Sequence, residues 1–115
     1  MFLWGVFKAG TQPRTVNVVT SRSKVEGVAY DVRMFAPVVG VPEDPVCGSA
    51  NCINAPYWAH KYGLGPENVG ENSREMMARH VSKRGGQFWT EVDWSKGKVF
   101  VRGEAKLTTR GVVTI

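Results

Sequence analysis

The chain has 115 residues, 43% of them hydrophobic and 22% charged, which suits one compact domain over 1–115 and excludes pervasive disorder. Fifteen Lys and Arg against ten Asp and Glu give a net charge of +5, which admits an anionic ligand. The basic residues are dispersed and carry no nucleic-acid recognition motif, and no apolar run reaches the roughly 18 residues of a membrane span, so neither nucleic acid nor membrane is an expected partner.

The opening seven residues, Met-Phe-Leu-Trp-Gly-Val-Phe, are apolar but lack a basic lead-in and a small-residue cleavage site, so a signal peptide is not expected. Gly10 to Pro13 supplies a turn, and the β-branched stretch 15–20 reads as a strand. Residues 21–27 form a polar connection. Over 30–35 the pattern alternates, placing Tyr30, Val32 and Met34 on one face, and it stops at Pro37. Pro37, Gly40, Pro42, Pro45 and Gly48 then make a loop dense in breakers.

From 48 to about 62 small and apolar residues (Ala50, Cys52, Ile53, Ala55, Tyr57, Trp58, Ala59) lie on nearly every side, which predicts a helix buried all round. Gly63 is its stop signal, Pro56 bends it, and Asn51 and Asn54 need buried hydrogen-bond partners. Cys52 is expected as a small core residue. After a connection over 63–73, Phe88, Thr90, Val92 and Trp94 share one strand face opposite Trp89, Glu91 and Asp93. A turn at 95–97 leads into a strand over 98–102, and 106–109 and 112–115 read as further short strands. One buried helix with many short strands predicts an α+β fold whose mostly antiparallel sheet curls around the helix.

The two cysteines, Cys47 and Cys52, do not make a disulfide framework. Five positions apart on one helix their Cα atoms would be roughly 8 Å apart, beyond bridging reach. They read as free thiols in a reducing compartment, the cytoplasm. With no Cys-x-x-Cys pair and only His60 and His80, no structural zinc is expected. Gly48-Ser49 opening a helix leaves unpaired N–H groups and the positive dipole end, which suit a carboxylate or phosphate; the same pair also reads as an ordinary cap. Glu43 and Asp44 bring carboxylates to that corner as acid, base or orienting groups, with capping the other reading of Asp44. Arg33 reads as a surface charge or an ion-pair partner. Cys47 stands at the helix entrance, where the dipole favours a thiolate.

Arg33-Met34-Phe35-Ala36-Pro37 followed by Gly40-Val41-Pro42-Glu43-Asp44-Pro45-Val46-Cys47-Gly48-Ser49-Ala50 resembles the second-half signature of the PhzF-like (phenazine biosynthesis-like) isomerase family. Val81-Ser82-Lys83-Arg84-Gly85-Gly86, the segment from Val99 to Ala105, and Gly111-Val112-Val113 are similar to it in the same order. The resemblance implies a diaminopimelate-epimerase-like fold, in which each of two halves wraps a partial barrel around a central helix and the active site lies between them. It implies cofactor-independent proton transfer on a small carboxylate-bearing molecule, with no metal or organic cofactor. Asp44 and Cys47 are the implied catalytic residues, and Gly48, Ser49 and Ala50 the implied substrate-binding ones. In the related epimerases a cysteine at the place of Cys47 is one of two acid/bases.

Only the second half of the family's length is represented, and the family's principal acid/base belongs to the other half. A homodimer in which each copy stands in for the other's absent half is therefore expected, favoured by the aromatic lead Phe2, Trp4 and Phe7. The alternative is a catalytically inactive half-domain serving as a small-anion binding or interaction module. His80 occupies a place usually held by Gln and reads as a surface or hydrogen-bonded residue, with a substitute acid/base as the second reading.

Overall fold

The computed structural model describes residues 2–4, 16–69 and 74–115. The turn expected at Gly10 to Pro13, the side chains of the aromatic lead and the end of the connection at 70–73 lie outside those residues. In chain order the elements are β1 (Phe2–Trp4), β2 (Asn17–Arg22), β3 (Tyr30–Ala36), a 3₁₀ turn at Pro37–Val39, β4 (Val41–Asp44), α1 (Asn51–Lys61), the short α2 (Pro66–Val69), β5 (Glu75–His80), β6 (Gly86–Asp93) and β7 (Lys98–Arg102).

The strands form one mixed, mostly antiparallel sheet in the order β1-β2-β3-β5-β6-β7, with β4 also paired to β3. The parallel pair is β3 and β5, in register at Tyr30 with Ala78 and Val32 with His80. A parallel return needs a crossover, and α1 lies within that connection. The fold is thus α+β as expected, but the sheet does not close: β1 and β7 end it as unpaired edges among the described residues.

Alternation along the strands decides what α1 packs on. Tyr30 and Val32 from β3, Met76 and Ala78 from β5, and Phe88 and Val92 from β6 face Ala55, Trp58 and Ala59 of the helix. Trp58 stacks on Tyr30 (centroids 5.9 Å, planes 9° apart), and Phe88 meets Tyr30 edge-on at 6.3 Å. The indole N–H donates to Thr20 Oγ1 at 2.8 Å, which satisfies the one polar atom of that side chain.

Several expectations need correction. The helix begins at Asn51 rather than 48, and it buries one face only: Asn51, Asn54, Ala55, Trp58 and Ala59 are covered. Cys52 is exposed and Ile53 is 68% exposed, because no described element packs on that side. Residues 103–115 hold no regular structure and are exposed throughout, so the strands expected at 106–109 and 112–115 are absent. β-Branched composition does not by itself make a strand, and 103–115 pair with no strand among the described residues. The stop at Gly63 holds: its φ is 70°, its amide donates to His60 O, and Leu64 donates to Ala59 O, a Schellman arrangement.

Candidate functional site

Between β4 and α1 the chain makes the turn 45–50, and the predicted site residues lie along it. Asp44 closes β4, paired with Met34, and its Oδ1 accepts from the Val46 amide at 3.0 Å. That bond turns the chain out of the strand in the manner of an Asx turn. Asp44 lines neither the cleft that holds Cys47 and Ser49 nor the one that holds Val46 and Gly48. Glu43 is held by Arg33 through a paired contact at 2.7 and 2.9 Å, so the ion-pair reading of Arg33 is the observed one. The guanidinium holds the Glu43 carboxyl below its ordinary range.

Cys47 is 5% exposed, and its Sγ lies 3.4 Å from Ser49 Oγ. The Ser49 hydroxyl and the thiol are thus in contact, and α1 has no side-chain cap. The capping reading of Gly48-Ser49 is replaced by this pairing. Among the described residues no acceptor is found for the amides of Gly48, Ser49 and Ala50, as a helix entrance open to a ligand requires. A Cβ built at Gly48 would meet nothing within 4 Å, so a ligand could come close to the backbone there.

The turn separates two clefts. Cys47, Ser49 and Ala50, with Val16, Val18, Met34, Ile53 and Asn54, line an apolar one of about 410 Å³. Val46 and Gly48 face the other, of about 520 Å³, whose walls carry Arg84, Gln87, Trp89 and Glu104. The clefts divide the predicted set: the structure groups Cys47, Ser49 and Ala50 on the apolar one, and puts Gly48 on the wall of the other. No group of three or more His, Cys, Asp or Glu side chains able to hold a metal ion occurs among the described residues.

Behind the turn stands a buried polar network. Asn51 Nδ2 donates to Cys47 O at 2.8 Å, while its Oδ1 accepts from Tyr30 Oη at 3.0 Å and Asn54 Nδ2 at 3.4 Å. Burial pushes the Tyr30 phenol well above its ordinary range, so it stays a neutral donor. The partners that Asn51 and Asn54 needed are thus Tyr30, Cys47 and each other.

His80 completes the support. It ends β5, is 1% exposed, and places Nε2 3.1 Å from Cys47 N and 3.2 Å from Cys47 O. Burial lowers its pKa, against smaller opposing effects from the Cys47 backbone and from the carboxylates of Asp44 and Glu43. Of the two readings of His80 drawn from the sequence, the hydrogen-bonded one is observed, and it is a core residue rather than a surface one. The signal that could have placed it is the alternation of Met76, Ala78 and His80 over 75–80, a strand not recognised in the sequence.

The family model "Phenazine biosynthesis-like protein" (PhzC-PhzF) matches residues 8–111. A Halalkalibacterium halodurans protein named "Uncharacterized isomerase" is 38% identical over 93 residues, 81% of this chain and 31% of that protein. The rat phenazine biosynthesis-like domain-containing protein is 36% identical over 115 residues, 96% of this chain and 35% of its own. The X-ray structure of a protein described as phenazine biosynthesis PhzC/PhzF, from Clostridium difficile, superposes with a TM-score of 0.65 at 32% identity, over 85% of this chain and 33% of that one. The chain spans about a third of the length of these relatives.

Proposed function

The chain belongs to the phenazine biosynthesis-like (PhzC-PhzF) family, and on that footing we propose that it is an isomerase-type protein that moves a proton on a small carboxylate-bearing metabolite without a cofactor. The observation that carries the reading is the Cys47 thiol beside Ser49 on an apolar cleft, at a helix entrance where, among the described residues, the amides of Gly48, Ser49 and Ala50 have no acceptor. In this reading the carboxylate takes those amides and the positive end of α1, and the thiolate form of Cys47 removes the proton from the adjacent carbon. Asp44 acts by fixing the turn from which Cys47 projects, and the Cys47 thiol formed in the first step returns the proton. Gly48, Ser49 and Ala50 bind the substrate.

The site is completed by a second copy. Proton abstraction from carbon needs a cleft closed to water, and this one, between Val16, Val18 and Met34 and the start of α1, is open to solvent. The uncovered face of α1 with Ile53 and Cys52, together with Leu107, Val112, Val113 and Ile115 of the extended end, supplies apolar surface for a symmetric partner. In such a dimer each open sheet would become part of a two-barrel, diaminopimelate-epimerase-like assembly, with 1–115 serving as one domain equivalent to the family's C-terminal half. The reducing compartment implied by two free thiols is the cytoplasm.

The experiment is deuterium incorporation at the α-carbon of a panel of small carboxylates in D₂O, run beside light scattering. Incorporation by a dimer that is lost in Cys47→Ser is expected. A strict monomer at micromolar concentration, or exchange indifferent to that substitution, overturns the assignment. A second reading, an anion-binding module without turnover, is favoured by one observation: the Asp44 carboxylate is turned to the Val46 amide and away from the cleft. Carboxylate binding without exchange would select it.

A further inference from the structure

We propose that His80 is the positioning residue of the Cys47 loop: it holds the thiol at the apolar cleft as a neutral imidazole protonated on Nδ1, and releases the loop when the ring takes a second proton. The inference rests on the reading of Cys47 as the site's thiol, but its argument is independent of any substrate.

The Nε2 atom lies within hydrogen-bond distance of both the amide and the carbonyl of Cys47, at 3.1 and 3.2 Å, and one ring nitrogen cannot accept from the first while donating to the second. The carbonyl already accepts from Asn51 Nδ2 at 2.8 Å. Among the described residues the amide has no acceptor other than Nε2. The opposite ring nitrogen, Nδ1, is buried and has no partner among the described residues.

These facts rank the proton positions. With hydrogen on Nε2, the ring donates to a carbonyl that is already satisfied, the Cys47 amide faces another N–H, and Nδ1 is an unmet acceptor, so two buried groups lack partners. With hydrogen on Nδ1, the amide is satisfied and only Nδ1–H lacks a partner. The second arrangement leaves fewer buried groups unpaired and is the resting form. In the doubly protonated ring Nε2 becomes a donor, and the Cys47 amide loses its acceptor at the moment a charge appears in the core.

The groups around the ring agree. The charged groups that act on it are Glu43 and Asp44 of β4, and Glu43 is already held by Arg33. From β6 the ring of Phe88 packs at 5.5 Å, and from β3 the register partner is Val32, neither of which titrates. The turn itself brings the Cys47 thiol. Burial is the largest influence on the ring, so the neutral form holds at neutral pH and the release lies below the ordinary histidine range.

Two measurements test this. In ¹⁵N-labelled protein near pH 7 the imidazole resonances should report Nδ1–H with Nε2 unprotonated, and on acidification the Cys47 amide should shift with the same midpoint as the ring. An Nε2–H tautomer, or a Cys47 amide that ignores the ring's titration, overturns the proposal. The second measurement is the rate of Cys47 alkylation by iodoacetamide, read in a Cys52→Ser background because Cys52 is exposed. His80→Gln supplies a carbonyl acceptor that does not titrate. The alkylation rate with His80 in place, divided by the rate in the His80→Gln variant, should stay near one at about pH 7. It should rise about threefold or more as the ring protonates and the buried thiol opens. A flat ratio, which a merely space-filling histidine would give, overturns it. If His80→Gln does not fold, the resonance titration of the unsubstituted protein decides alone. Absence of α-carbon exchange would defeat the catalytic reading of Cys47 while leaving both of these results standing.

Discussion

α1 has no side-chain cap, and Asn51 at its first position ties the helix entrance down by donating instead. Its side chain reaches back to Cys47 O and forward to Tyr30 Oη, so one buried amide fixes the turn, the helix entrance and β3 together. Because these groups are buried, the bonds matter less for what they add than for what their removal leaves behind. Tyr30→Phe keeps the stack on Trp58 but leaves Asn51 Oδ1 with only the longer bond from Asn54. A loss of about 1–3 kcal/mol in urea unfolding is the expected result. An unchanged midpoint would mean that water replaces the phenol.

At the level of elements, the Schellman end of α1 carries a prediction of its own. Gly63 has φ 70°, where any side chain meets the following carbonyl, so Gly63→Ala should cost about 1–2 kcal/mol and lower the thermal midpoint. This stop was legible in the sequence, as were β3 and β6, because alternation over Tyr30, Val32 and over Phe88, Thr90, Val92 matches their burial. β5 was not, because Glu, Met, Ala and Arg are helix formers and only the neighbouring strands β3 and β6 make 75–80 extended. β4 was hidden by Pro42, tolerated where β4 pairs with β3 alone. The candidate site was legible in part: motif and spacing marked Cys47 to Ala50, while the division of that turn between two clefts and the support from His80 depend on contacts 33 residues apart.

For the molecule as a whole, three of the more buried groups contribute to the pH range of stability. Arg79 binds Asp31 at 2.6 and 3.1 Å and holds its carboxyl below the ordinary range. The unfolded chain therefore takes that proton first, and the stabilisation present above about pH 4 is lost as pH falls further. His80 acts in the same direction at higher pH: its folded pKa is lowered, the unfolded chain binds the proton below about 6.5, and stability declines from there. Tyr30 acts in the opposite sense, its raised pKa costing stability once pH exceeds about 10, where the unfolded chain ionises. Urea midpoints across pH should trace a plateau with two limbs. His80→Gln should remove the upper part of the acid limb and leave the carboxylate part in place. An unaltered acid limb in that variant would count against the histidine's share.

The parallel pairing of β3 with β5 has a consequence for the order in which the protein is made. Strand β3 is synthesised early, yet its neighbour on that side and the acceptor for the Cys47 amide arrive only with residues 75–80. Until then a growing chain on the ribosome carries α1 and the thiol with half of their supports missing, and closing so long a loop is slow. In a Cys52→Ser background, nascent chains ending before residue 75 and carried on a linker that spans the exit tunnel should leave Cys47 open to maleimide, and full-length chains on the same linker should protect it.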